Sequence, residues 1–214
     1  MKTNSKTGIL TVVSGFSGAG KGTIMNRLSE KYPDTYALSI SATTRSPRPG
    51  ETHGKEYFFV SEEEFQSMID NHALLEYAQY VNHYYGTPEA YVKQQSEAGK
   101  DVILEIEIQG ALKVKEARPD TLLLFVTPPG AEELKNRLTE RGTETEDVIR
   151  SRLSRAWQEA QGVEAYDYLI INDDLETCVE QVHTMIQNEH ARVARNHALI
   201  ERIRTELKGF AKGE

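Results

Sequence analysis

An α/β fold, with a parallel five-stranded sheet flanked by helices, is predicted by three observations. The apolar run Ile9-Leu10-Thr11-Val12-Val13 leads straight into a glycine-rich turn, and a helical pattern follows it. Further strand-like runs then alternate with helical patterns, which is the layout of parallel strands joined by covering helices. Residues 41–86 break that alternation with prolines, glycines and aromatic clusters, and read as an inserted lobe.

The elements can be justified in order. Leu10–Val13 is a buried strand, and Ile24, Met25 and Leu28 recur helically after the glycine-rich turn. Ala37–Ser41 is a weaker strand. In the lobe, Pro47, Pro49, Gly50 and Gly54 precede Tyr57-Phe58-Phe59-Val60, and Tyr77-Ala78-Gln79-Tyr80-Val81 follows later. Both aromatic runs read as short antiparallel strands. Between them Ser61-Glu62-Glu63-Glu64 is a capping box opening a helix with Phe65, Met68 and Ile69 on one face. Thr87-Pro88 supplies an N-cap and an N1 proline, and Gly99 closes that helix. Val102–Ile108 and Leu122–Val126 are strands, and Pro128-Pro129-Gly130 separates the second from a helix carrying Leu134 and Leu138. The polar run Arg141-Gly142-Thr143-Glu144-Thr145 lies between two helical patterns, as a lid does. Leu169–Ile171 is the last strand. From Leu175 to Leu207 the pattern is helical, with Val193, Ile200, Ile203 and Leu207 forming a stripe.

Composition narrows the function. The chain has 214 residues, 27% charged and 38% hydrophobic, with a formal net charge of −8. That acidity argues against general nucleic-acid binding. Residues 192–212 are the exception, with Arg192, Arg195, Arg202, Arg204, Lys208 and Lys212 against Glu201 and Glu206, and such a basic helical end reads as solvated surface. No apolar run reaches the ~20 residues of a membrane span. Met1 to Lys6 carries no signal-like apolar region, and the single Cys178 excludes an internal disulfide and a cysteine-based zinc site. The expected home is the cytoplasm.

The chemistry starts at Gly15-Phe16-Ser17-Gly18-Ala19-Gly20-Lys21-Gly22-Thr23. Between a strand and a helix, such a loop turns successive backbone N–H groups toward phosphate oxygens, and the helix adds the positive end of its dipole. Lys21 supplies a mobile charge for the outer phosphates. Gly22 stands where the general pattern has a hydroxyl, so Thr23 offers one a position late. Downstream, Arg45 and Arg48 are three residues apart in one loop, and two guanidinium forks at that spacing can embrace one phosphoryl group. Tyr57, Tyr84 and Tyr85 bring phenols that can serve either packing or a pocket. Glu76, Glu105 and Glu107 are carboxylates in apolar surroundings, and the last two, read as strand residues, share one face. Carboxylates there meet cations, Mg²⁺ waters or ligand donors, such as the paired N1–H and N2–H₂ of a guanine edge.

Taken together these segments resemble the guanylate kinases. The resemblance is carried by the phosphate loop, by Ser39-Ile40-Ser41-Ala42-Thr43-Thr44-Arg45-Ser46-Pro47-Arg48-Pro49-Gly50-Glu51 and by Gly54-Lys55-Glu56-Tyr57. It continues through Tyr84-Tyr85-Gly86-Thr87, Leu104-Glu105-Ile106-Glu107-Ile108-Gln109-Gly110, Arg137 to Glu144 and Ile171-Asn172-Asp173-Asp174, covering residues 8–186 in the family's order. It implies a P-loop kinase core over 1–40 and 87–190 with a lid at about 137–155. It also implies a GMP-binding lobe over 41–86, and leaves 191–214 as a C-terminal helical extension.

The implied reaction is phosphoryl transfer from MgATP to GMP. ATP would be held by Gly15, Ser17, Gly18, Ala19, Gly20, Lys21, Gly22 and Thr23, with Asn172 near the adenine. Arg45, Arg48, Tyr57 and Tyr85 would hold the GMP phosphate, and Ser41, Glu76 and Thr87 would read guanine, assisted by Glu105. Lys21, Arg45, Arg137, Arg141 and Arg152 would carry catalysis, the lid arginines closing on the transferring group. Mg²⁺ is the implied cofactor, with Thr23 contacting it directly or through water and Glu105 through water. Phe16 replaces a frequent proline at expected small cost, and Glu107 a usual aspartate. The implied partners are ATP and GMP, with dGMP as a second acceptor; monomer and homo-oligomer both stay open. Two alternatives remain: a non-catalytic module of the same fold that binds phosphopeptides, and a P-loop kinase for another monophosphate.

Overall fold

The computed structural model describes residues 7–80, 82–140 and 145–212. Its elements run β1 (Leu10–Gly15), α1 (Lys21–Lys31), β2 (Tyr36–Leu38), β3 (Ala42–Thr43), β4 (Phe58–Phe59), α2 (Glu62–Asp70), β5 (Leu74–Tyr80) and β6 (His83–Pro88). They continue with α3 (Glu89–Glu97), β7 (Asp101–Glu105), α4 (Ile108–Ala117), β8 (Leu122–Thr127), α5 (Ala131–Glu140), α6 (Glu146–Ala160), β9 (Tyr168–Ile171), α7 (Leu175–Glu189) and α8 (His197–Lys212).

Five of the strands form the main sheet in the order β2-β7-β1-β8-β9, every neighbouring pair parallel. Its strands are apolar on both faces because helices cover both. On one side Val13, Ile103, Leu124 and Ile170 pack with Ile24, Leu28, Val179 and Ile186 of α1 and α7. On the other, Val12, Leu104 and Leu123 pack with Val92 of α3 and Val114 of α4. With all strands pointing one way, the ends of β1, β7, β8 and β9 meet at a single rim, where ligand crevices form in such sheets. At the opposite rim Asp101 is almost fully buried. Its carboxylate accepts from the Ile9 N–H at 2.7 Å and the Gln187 Nε2 at 2.9 Å, and meets the His190 Nε2 at 2.8 Å.

The inserted segment forms a second sheet in the order β4-β3-β6-β5. Its pairs β3–β6 and β5–β6 are antiparallel, as expected, but β3–β4 is parallel. The long loop over 44–57 returns the chain to run β4 alongside β3 in the same direction. The capping box forms: Ser61 Oγ accepts from the Glu64 N–H at 3.1 Å, and the Glu64 carboxylate accepts from the Ser61 N–H at 2.8 Å. It fixes α2 so that Phe65 is buried and stacks on Tyr84.

Three expectations are corrected. The strand expected over 102–108 ends at Glu105, and Glu107 is the N-cap of α4, so the two glutamates do not share a strand face. The helix after Thr87-Pro88 starts one residue late, with both residues still in β6 and Pro88 at the N-cap. The continuous C-terminal helix breaks between α7 and α8, where buried Glu189 holds Arg192 and Arg195. Beyond that break the stripe is largely uncovered, with Val193, Ile203 and Leu207 exposed. No helix among the described residues is long and apolar enough to cross a membrane.

Candidate active site

The rim of the main sheet is built first by the loop between β1 and α1. Gly20, the N-cap of α1, adopts a left-handed φ of 91°, and a Cβ there would lie 2.4 Å from Asn172 Nδ2. Only glycine meets both demands. Asn172, just past β9, uses that amide to donate to the Ala19 carbonyl at 2.7 Å, so the last strand holds the loop's shape. Its own carbonyl accepts from Arg137 at 2.8 Å, and Arg137 also pairs with Glu133. These groups border an open cleft of about 430 Å³ lined by Gly18, Gly20, Thr23, Arg137, Asn172 and Leu175.

Lys21 opens α1 and curls back over the loop, donating to the Gly15 carbonyl at 2.8 Å and the Phe16 carbonyl at 3.3 Å. A Cβ on Gly22 would meet nothing within 4 Å, so glycine is not sterically required there. Ser17 Oγ accepts from Arg152 of α6 at 2.5 Å. Phe16 packs against the cluster of Leu134, Leu138 and Ala156 and stands edge-on to Phe125, which seats the α5–α6 pair on the loop. Arg141, with Gly142, Thr143 and Glu144, lies outside the described residues, as does Val81.

A second cluster sits in the lobe. The Arg45 guanidinium forks onto both oxygens of Glu51 at 2.9 Å each and lies 5.3 Å from the centre of the Tyr57 ring. Tyr85 stands 6.0 Å from Tyr57, ring to ring, and, after Glu51, helps raise Arg45. Glu51 also accepts from the Arg48 N–H at 2.7 Å. The Arg45 hydrogen bonds hold the Glu51 carboxyl below the ordinary range, and Glu51 in turn raises Arg45. Arg48 itself is exposed. The task of Glu51 shows only in the fold; its one sign in the sequence is a carboxylate six residues after Arg45, across a proline-glycine turn.

A third group lies where lobe and core meet. Glu76 of β5 is buried, and its Oε1 accepts from Thr87 Oγ1 at 2.7 Å. Burial raises its carboxyl, against the pull of that hydrogen bond. Helix α4 packs on β5, and a Cβ on Gly110 would stand 2.9 Å from Glu76 Oε2. Gly110 was missed as a site residue, although a glycine in the first turn of a helix was the available sign. Ser41 stands at the foot of β3, its carbonyl accepting from the Phe58 N–H. Glu105 ends β7 beside β1, and its carboxyl is raised by burial although Lys21 opposes the shift. Tyr57 also feels the Glu105 charge.

A parallel sheet with a phosphate loop at its rim, a second cationic cluster on an inserted sheet and arginine-bearing helices beside them defines a nucleoside-monophosphate kinase, a phosphotransferase. Comparison with known proteins narrows the class. The family profile described as Guanylate kinase matches residues 7–189. A guanylate kinase of Caldanaerobacter subterraneus subsp. tengcongensis is 53% identical over 201 residues, covering 94% of this chain and 97% of that protein. One from Clostridioides difficile is 49% identical over 203 residues, covering 94% and 98%. The crystal structure of guanylate kinase from Anaplasma phagocytophilum superposes with a TM-score of 0.70 at 31% identity, covering 89% of this chain and 90% of that one. The chain belongs to the guanylate kinase family.

Proposed function

We propose that this chain transfers the γ-phosphoryl group of ATP to GMP, giving ADP and GDP. The observation that carries the reading is the pairing, in a chain of the guanylate kinase family, of a phosphate loop whose Lys21 bonds loop carbonyls with an Arg45–Glu51–Tyr57 cluster on the inserted sheet. One set suits the phosphates of a donor and the other the phosphate of an acceptor, the two halves that in-line transfer needs.

Arg45, Tyr57 and Tyr85 bind the GMP phosphate, with Arg48 at the loop's outer edge. Glu51 keeps the Arg45 fork oriented before the ligand arrives. Glu76 Oε2 and Thr87 hold the guanine edge, with Ser41 completing that pocket. Lys21 exchanges two loop carbonyls for phosphate oxygens of ATP, and the loop N–H groups take the rest. Arg137, Arg152 and Arg141 neutralise charge that spreads over the transferring oxygens. The acceptor is already an anion, so no general base is required.

The metal-ligating oxygens available, the Thr23 hydroxyl and the Glu105 carboxylate, suit Mg²⁺ that keeps several waters and rides on the nucleotide phosphates. Among the described residues no three His, Cys, Asp or Glu gather into a group that could hold a metal on its own. When bound, Mg²⁺ neutralises phosphate charge and helps orient the donor.

The test is an ADP-release assay with ATP and each of GMP, dGMP, AMP, CMP and UMP. Turnover with GMP and dGMP and little with the others is expected. Preference for AMP or a pyrimidine, or no turnover with GMP, would overturn the reading.

A further inference from the structure

Arg155 lies on α6, one turn from Arg152, yet it reaches away from the phosphate loop. Its Nη2 meets Glu107 Oε2 at 3.0 Å, its Nε meets Glu159 Oε1 at 3.0 Å, and its guanidinium lies 5.6 Å from the centre of the Tyr80 ring. These contacts belong to three bodies. Glu107 caps α4 in the core, Glu159 is on α6 itself, and Tyr80 ends β5 in the inserted lobe. Strand β5 receives a second cation from elsewhere: Lys113 of α4 lies 5.5 Å from the Tyr77 ring and donates to the Tyr77 carbonyl. The lobe is thus fastened to the core at Tyr77 and to the α5–α6 pair at Tyr80.

We propose that Arg155 is a positioning residue that couples the lobe to the arginine-bearing helix α6, so that Arg152 is delivered to the phosphate loop only when the lobe is in register. This rests on the phosphotransferase reading above. Arg155 also pairs with two neighbouring carboxylates. Glu159 is largely buried, and its Oε1 accepts from the Arg155 Nε while Glu107 accepts from Nη2. Without the guanidinium, the ion pair that ties α6 to the start of α4 and the ring contact that ties it to β5 are both lost. The Arg155–Tyr80 and Arg155–Glu107 contacts are solvent-reachable, so they add little to global stability. A bias of that size still matters for an equilibrium between open and closed arrangements.

Steady-state kinetics of Arg155→Met, Arg155→Lys, Tyr80→Leu, Tyr80→Phe and the double variant Arg155→Met/Tyr80→Leu test it, with thermal melting alongside. Arg155→Met should lower kcat roughly five- to tenfold, the range of a lost ion pair plus a lost cation–ring contact, and Tyr80→Leu roughly two- to fivefold for the cation–ring contact alone. The KM for ATP and the melting temperature should stay near wild type. The double variant should be no worse than the poorer single, Tyr80→Phe should be active, and Arg155→Lys should fall between wild type and Arg155→Met. Unchanged kcat in Arg155→Met, losses that simply multiply in the double variant, or losses that track a falling melting temperature would each overturn the coupling. A wild-type protein that fails to turn over GMP would instead remove the underlying reading.

Discussion

Glu76 and Gly110 fit against each other with no spare volume. A Cβ on Gly110 would lie 2.9 Å from Glu76 Oε2 and 3.3 Å from its carboxyl carbon, while Thr87 holds Oε1 from the other side. The carboxylate is therefore set by three segments remote in sequence: β5, the end of β6 and the first turn of α4. Gly110→Ala should displace it and raise the KM for GMP roughly tenfold or more, since a site that hydrogen-bonds its substrate loses heavily when the partner moves. The KM for ATP should hardly change, and parallel losses for both nucleotides would contradict this assignment.

Acid should act on Glu76 before it acts on exposed glutamates. Burial puts its carboxyl above the ordinary 4.5, and under the proposed assignment its ionised form would accept the guanine N–H groups. As pH falls through that raised value, GMP affinity should drop. The same protonation relieves the cost of burying a charge, so here stability rises on acidification while binding falls. Titration calorimetry across this range should show the drop in wild type, with Glu76→Gln weak and lacking this limb.

Arg45 and Glu51 behave in the opposite sense. Glu51 is held below its ordinary range, so its brace is present above the unfolded value and is lost only as pH falls through the lower folded one. Arg45→Ala should weaken GMP far more than ATP. Glu51→Gln should give a milder loss of the same kind, because the fork remains but is no longer pre-oriented. Equal effects on both nucleotides, measured by equilibrium binding, would count against two separate sites.

Lys21→Ala should fold, because the side chain bonds only to two carbonyls of its own loop. Its kcat should fall by about 10²–10³, the usual cost of removing one preorganised charge from a transferring group. A melting temperature near wild type with turnover in that range supports the assignment, whereas near-native turnover would refute it.

Asp101→Ala should separate stability from chemistry. It strips the acceptor from the Ile9 N–H, Gln187 and His190 at once, at a cost on the order of 3 kcal/mol for buried partners left unpaired. Urea denaturation should show the lower midpoint, while kcat and both KM values at low temperature stay near wild type.

The parallel sheet was legible because its strands need only be apolar on both faces, and Leu10–Val13 or Leu122–Val126 cannot be much else. The end of β7 was not. Ile106 and Ile108 continue the apolar rhythm of Val102–Leu104, and only the backbone turn at Glu107 into α4 stops the strand. The break before α8 was hidden for a similar reason, since no glycine or proline lies between Glu189 and His197 and the chain is redirected by tertiary ties to Asp101 and Asp120. Among the candidates, Lys21, Arg45, Tyr57 and Glu76 could be picked out by residue type and setting. The contacts of Glu51 and Gly110 could not, because each acts through a neighbour that only folding brings near.

The shared direction of the five strands has a consequence for how this protein can change. Gly15, Glu105, Thr127 and Ile171 end their strands at the reacting rim, whereas Asp101 begins its strand at the far one, beside Ile9 and the end of α7. Adaptation to heat or cold can therefore proceed at the far rim, one substitution at a time, without retuning the groups that handle nucleotides. Lineages of this fold are free to diverge in thermal tolerance while their chemistry stands still.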